Sequence, residues 1–191
     1  MAEIMKEKSE EIQSSEDKAT QLHNEGLRLF HEGLYDESAQ RFNEAMEYFA
    51  ELGRDVEVGE ILNNIGIIRR KQGNWEQSLE SLEEARRVFV RLQDPPREAQ
   101  CLGNLGSVYA SLKRYEDAEK AWSMAASIFQ EQGDRQKQGE TLMALGTSLF
   151  KTKRRQEGLA TYQVGMGLLE KPTLLQRIYR ILLLIQTRLL G

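Results

Sequence analysis

With 191 residues, 40% of them hydrophobic and 29% charged, the chain can bury a core and lacks the composition of a disordered polymer. Its one cysteine, Cys101, excludes an intramolecular disulfide and a thiolate-rich zinc site, and suits a reducing, cytoplasmic compartment. The formal charge of -4 is uneven: residues 150–191 carry +6 and residues 1–149 carry -10, an acidic majority that repels phosphate and disfavours nucleic acid as a partner.

Residues 1–17 mix Glu and Lys without an apolar run, so they resemble neither a secretory signal nor a transit peptide. They form a polar segment left open between disorder and helix. From residue 18 onward the chain is periodic. Gly26, Gly66, Gly106 and Gly146 are spaced by 40, and the same register carries Tyr35, Trp75 and Tyr115, then Phe42, Leu82, Trp122 and Tyr162, then Ala45, Ala85 and Ala125. Glycine inside a helix costs about 1 kcal/mol relative to alanine, so four at one phase need a packing reason. Small residues on two antiparallel helices supply it by allowing close approach, with Phe42 or Trp122 expected to fill the space between repeats.

Helix pairs are predicted at 18–32 with 35–52, 57–72 with 75–92, 97–112 with 115–132, and 136–152 with 155–170. Gly33 and Gly73 stop first helices, and Gly53 and Gly133 stop second helices. Asn74 with Gln77 reads as a capping box, and Asp94 before Pro95-Pro96 as a helix start. The corresponding segments are 18–56, 57–96, 97–135 and 136–171, followed by 172–191. In the fourth, Arg155 and Gly158 replace the expected aromatic and Ser/Ala, and Gly165 and Gly167 are expected to interrupt the second helix. That helix should exchange its amide protons fastest.

The run Leu102-Gly103-Asn104-Leu105-Gly106-Ser107-Val108-Tyr109, followed by Tyr115, Ala118, Trp122 and Ala125, resembles the tetratricopeptide motif, and the resemblance covers about residues 19 to 170. The 40-residue period is similar to that of kinesin light chains and the LGN group of G-protein signalling modulators. The resemblance implies an all-α fold, a right-handed α-α superhelix of four helix pairs with a capping helix. It also implies that first helices line a concave groove holding a peptide of a partner protein, extended or helical.

The register places Asn24, Asn64 and Asn104 at one phase of successive first helices. An amide both donates and accepts, which suits a bound peptide backbone, and in the resembled relatives the equivalent Asn residues contact peptide. Leu27, Phe30, Asn63, Ile67, Arg70 and Lys71 are expected on the same face, with Phe150 and Lys151 at its far end. The basic residues wanted by chaperone-tail clamps are missing, since His23, Asn63 and Gly103 stand in their places.

Catalysis has no visible constellation. His23 and His31 are the only histidines and fit no metalloprotease, phosphate-loop or triad pattern, so neither a metal nor a cofactor is expected. The expected role is that of an adaptor or assembly factor.

Past Pro172, Thr173 and Gln176 read as another capping box for a final amphipathic helix. Its stripe of Leu174, Ile178, Ile181, Leu182, Ile185 and Leu189 is expected to cap the last repeat. Tyr179, Leu183, Leu184 and Leu190 lie off that stripe and form a candidate second interface, for a homodimer or a membrane-peripheral scaffold. The longest apolar run, Ile181 to Ile185, is too short to span a membrane.

Overall fold

The computed structural model describes the backbone of residues 1–170 and 173–190, and all their side chains except those of residues 2–4, 180, 183, 184 and 186–190. The elements are α1 (Ala2–Glu32), α2 (Tyr35–Glu51), α3 (Asp55–Lys71), α4 (Trp75–Arg91), α5 (Pro95–Ser111), α6 (Tyr115–Glu131), α7 (Arg135–Lys151), α8 (Arg155–Leu168) and α9 (Leu174–Leu190). No strand occurs among the described residues, and the polar leader is helical, part of a continuous α1. The fold is all-α, built from consecutively packed helix pairs. They fall into two compact units, Met1–Gln93 and Asp94–Gly191.

The corners explain the regularity. Residues with positive φ recur every 20 positions, at Gly33, Gly53, Gly73, Gln93, Lys113, Gly133 and Lys153. The 40-residue sequence period is therefore two equivalent backbone half-periods. In the corner after α2, Gly53 N–H bonds Ala50 O at 3.0 Å and Arg54 N–H bonds Phe49 O at 2.8 Å, closing the last helical carbonyls as a Schellman motif does. Asn74 N–H to Arg69 O and Arg114 N–H to Tyr109 O repeat the second bond, both at 2.9 Å. Asn74 occupies the cap position of α4 but makes no side-chain cap bond, so the Asn74/Gln77 capping box does not form. The corner's main chain already fixes the geometry. Asp94 caps α5 by accepting from Arg97 N–H at 3.1 Å, and Asp134 does the same for α7 from Lys137 N–H at 2.9 Å.

In the first unit, α1 pairs with α2, α3 with α4, and α2 with α3. Its core joins Leu22, Phe42, Phe49, Ile61, Ile65 and Ile68. A methyl group built on Gly66 would lie 2.6 Å from Leu82 Cγ, and one on Gly26 2.8 Å from the Phe42 ring. The large side chain at this phase therefore fills the notch of its own helix pair, not the gap between repeats. Across the same contact, Ser38 Oγ donates to Gly26 O and Ser78 Oγ to Gly66 O, each at 2.7 Å.

In the second unit, α5 pairs with α6, α6 with α7, α7 with α8, and α8 with α9. Trp122 closes over Gly106 and donates its Nε1–H to Gly103 O at 3.0 Å. Cys101 is fully buried, the position of a small core residue. The α7–α8 pair departs from the rule of side chain into glycine. A Cβ on Gly146 would meet Gly158 O at 2.7 Å, and one on Gly165 would meet Gly139 O at 2.6 Å, so backbone lies on backbone at two points. The interruption expected at Gly165 and Gly167 is absent, because α8 runs through both to Leu168. Gly165 exchanges helix propensity for close contact.

The last helix opens with the expected box: Thr173 N–H bonds Gln176 Oε1 at 2.7 Å, and Gln176 N–H bonds Thr173 Oγ1 at 3.3 Å. Its docked face is not the expected one. Tyr179 stands edge-on to Tyr162 with ring centroids 5.4 Å apart, whereas Leu174, Ile178, Ile181, Leu182 and Ile185 are 45–74% exposed. Tyr179 is thus taken up inside the unit. The side chains of Leu183, Leu184, Leu189 and Leu190 lie outside the described residues. Among the described residues, no helix is long and apolar enough to cross a membrane.

Candidate functional site

In the first unit the expected groove residues sit on α1 and α3. Asn24 is exposed, while Asn63, Asn64, Leu27, Phe30, Ile67 and Arg70 are half-buried and Lys71 is exposed. Leu27 and Phe30 pack on the core. Phe30 also meets Tyr35 at 5.9 Å between ring centroids, and Lys71 Nζ lies 6.0 Å from the Phe30 ring. Phe30 and Lys71 are therefore brought together, as an apolar patch with a cation at its edge. Asn63 engages a neighbour within the protein. The Arg70 Nε is buried and makes no hydrogen bond among the described residues.

His23, on α1, is half-buried against Phe42 and Phe49, at centroid distances of 5.7 and 6.3 Å. Burial holds its imidazole below the usual value against the opposing pull of Glu60 and Glu57. It is a neutral packing residue at neutral pH.

In the second unit Asn104 is half-buried and engages a neighbour within the protein. A cavity of about 430 Å³ opens further along α5 without Asn104 in its lining, which is Ser107, Ala110 and Ser111 of α5, Trp122 of α6, Met143, Ala144, Thr147 and Lys151 of α7, Tyr162 of α8 and Tyr179 of α9. Its serine and threonine hydroxyls are already committed as donors. Ser107 Oγ donates to Gly103 O at 3.1 Å, Ser111 Oγ to Ser107 O at 2.9 Å, and Thr147 Oγ1 to Met143 O at 2.9 Å. What they turn outward is lone pairs, within aromatic and thioether walls. Tyr162 donates weakly to Gln176 O at 3.4 Å, which ties the α9 wall to α8. The arrangement offers an apolar recess, a few acceptors and one ammonium, Lys151. That chemistry binds; among the described residues it contains no nucleophile paired to a base and no group of metal ligands.

Of the far-end residues expected on this face, Lys151 lines the cavity and Phe150 packs on the Met143–Tyr162 core. Sequence reasoning missed Ser107, Ser111, Trp122, Met143, Ala144, Thr147 and Tyr162 as cavity residues. The signal was present in the register: Leu27, Ile67, Ser107 and Thr147 share one phase, and His31, Lys71, Ser111 and Lys151 share another. At the first of these phases Ser107 and Thr147 are smaller than Leu27 and Ile67 and leave space in the last two repeats. A second recess of about 490 Å³, lined by Lys113, Arg114, Tyr115, Glu116, Asp117, Glu119, Thr152 and Arg154, has walls of charged side chains paired with one another, among them Arg154 with Glu119 at 2.6 Å and Arg114 with Asp117 at 2.8 Å.

A family model described as "Tetratricopeptide repeat" matches residues 17–91 and 57–131. No curated protein matches the chain. Among solved structures, BtubC (BKLC) from P. vanneervenii is similar at 22% identity and a TM-score of 0.71, over 81% of this chain and 67% of that one. The apo form of RapI is similar at 19% identity and a TM-score of 0.76, over 89% of this chain and 47% of that one. Aspartyl phosphate phosphatase F from Bacillus subtilis is similar at 15% identity and a TM-score of 0.77, over 80% and 40%. The chain thus spans less than half the length of the last two. At such identities the likeness is one of fold, and it agrees with the repeated helix pairs. The matched repeats, covering more than half of the residues, place this chain in the tetratricopeptide repeat family.

Proposed function

We propose that the chain is a protein-binding scaffold, an adaptor or assembly factor of the cytoplasm, that holds a peptide segment of a partner on the faces of its first helices. The observation that carries this reading is the 430 Å³ recess bounded by first helices α5 and α7, apolar-walled and bearing a single ammonium. Recesses of that size and chemistry suit an apolar anchor side chain. Lys151 would pair with a carboxylate next to it, and Lys71 beside Phe30 offers the same combination in the first unit. Asn24, Asn64 and Asn104 would contact the peptide main chain, the role an amide at that phase is suited to.

Affinity capture with the wild type, Ala144→Trp and the Asn64→Ala/Asn104→Ala double variant, compared by mass spectrometry, tests it. Ala144→Trp should fill the recess and lose the partner, and the double variant should retain it weakly. Identical partner sets from all three proteins would reject the groove.

A further inference from the structure

The exposed face of α9 has no use in that reading. Leu174, Leu175, Ile178, Ile181, Leu182 and Ile185 are 74, 76, 45, 55, 50 and 48% exposed. Their spacing of three, four and seven residues gathers them on one side of the helix. Six neighbouring aliphatic side chains at such exposure reach the class of patch, a few hundred Å², that folded proteins seldom leave uncovered without purpose. The helix is held to the rest of its unit from another side, by Tyr179 on Tyr162 and by Tyr162 Oη on Gln176 O. Docking therefore leaves the aliphatic face free.

Charge selects the occupant. Residues 171–191 contain Lys171, Arg177, Arg180 and Arg188 and no Asp or Glu. Arg177 is exposed one residue before Ile178, at the edge of the apolar face. Pairing this helix with the same helix of a second copy would set cations against cations. A negatively charged lipid surface accepts both properties at once, the apolar face entering the acyl boundary and the arginines meeting headgroups. Such a helix lies in the surface plane and does not span it, consistent with its 17 residues.

We propose that the Leu/Ile face of α9 is a peripheral docking surface for anionic membranes. The test is flotation of the full chain with vesicles of phosphatidylcholine alone and of phosphatidylcholine mixed with phosphatidylserine, at low and high salt. The wild type should float with the anionic vesicles at least about tenfold better than with the neutral ones, and high salt should weaken it. Ile178→Ser/Ile185→Ser and Arg177→Glu change exposed side chains, so circular dichroism should be unaltered while flotation falls. No flotation, equal flotation on neutral vesicles, or a concentration-dependent dimer abolished by Ile178→Ser/Ile185→Ser in place of flotation would each overturn the proposal. Partner capture by Ala144→Trp is a separate readout, so failure here leaves the recess untouched.

Discussion

The α3–α4 and α7–α8 pairs use the same glycine phase and solve close approach differently. In α3–α4 the Leu82 side chain enters the notch at Gly66, and Ser78 Oγ donates to the Gly66 carbonyl. In α7–α8 the equivalent positions are Gly158 and Tyr162, and the carbonyls of Gly158 and Gly146 lie where each other's Cβ would be. A side chain can rotate away from an added methyl group, whereas a carbonyl moves only with its helix. One repeat register thus accommodates a forgiving contact and an unforgiving one, and the unforgiving one forms a wall of the recess.

The largest expected effect separates them. Gly158→Ala should destabilise the second unit by about 3 kcal/mol, since the new Cβ meets backbone at 2.7 and 2.8 Å. Gly66→Ala, facing Leu82, should cost roughly 1–2 kcal/mol. Denaturant unfolding of both variants checks this, and equal losses would erase the distinction. Ser78→Ala removes a buried hydroxyl–carbonyl bond and should cost about 1 kcal/mol. Ser148→Ala should have the opposite sign. That hydroxyl is buried without a hydrogen bond among the described residues, at the phase held by Ile68 and Val108, so its removal should stabilise by about 1 kcal/mol.

Smaller effects come from the corners and from pH. Lys113→Gly should raise the melting temperature modestly, relieving a left-handed residue at φ 60° by up to about 1 kcal/mol. His23 is held neutral by burial, so the unfolded chain takes up its proton first. Its contribution is therefore complete above the ordinary histidine value and lost as pH falls below it. Between neutral pH and pH ~5 the wild type should lose stability more steeply than His23→Gln, whose packing loss adds a difference that does not change with pH.

The helix pairs and their partners were legible because glycine phase and large-residue phase recur together. The half-period was less visible, because left-handed corners carry glycine at Gly53 and Gly73 but Gln93 and Lys113 elsewhere. Gly165 read as a breaker because propensity counts the cost of glycine and not the contact with Gly139. The docking of α9 was misread for a related reason. Hydrophobic periodicity nominates the aliphatic stripe, while among the described residues α9 is attached through Tyr179 on Tyr162 and Tyr162 Oη on Gln176 O, contacts that have no period. Of the recess, Lys151 was found from its register, whereas Trp122 and Tyr162 had been assigned to packing alone.

Photo-crosslinking distinguishes a partner held on first-helix faces from one held on second-helix faces. A photoreactive residue would replace Thr147 in the recess of α7 or Met124 on α6, which is 47% exposed. A crosslinked partner peptide is expected from position 147 and none from position 124. Crosslinks of equal yield from both, or from 124 alone, would contradict it.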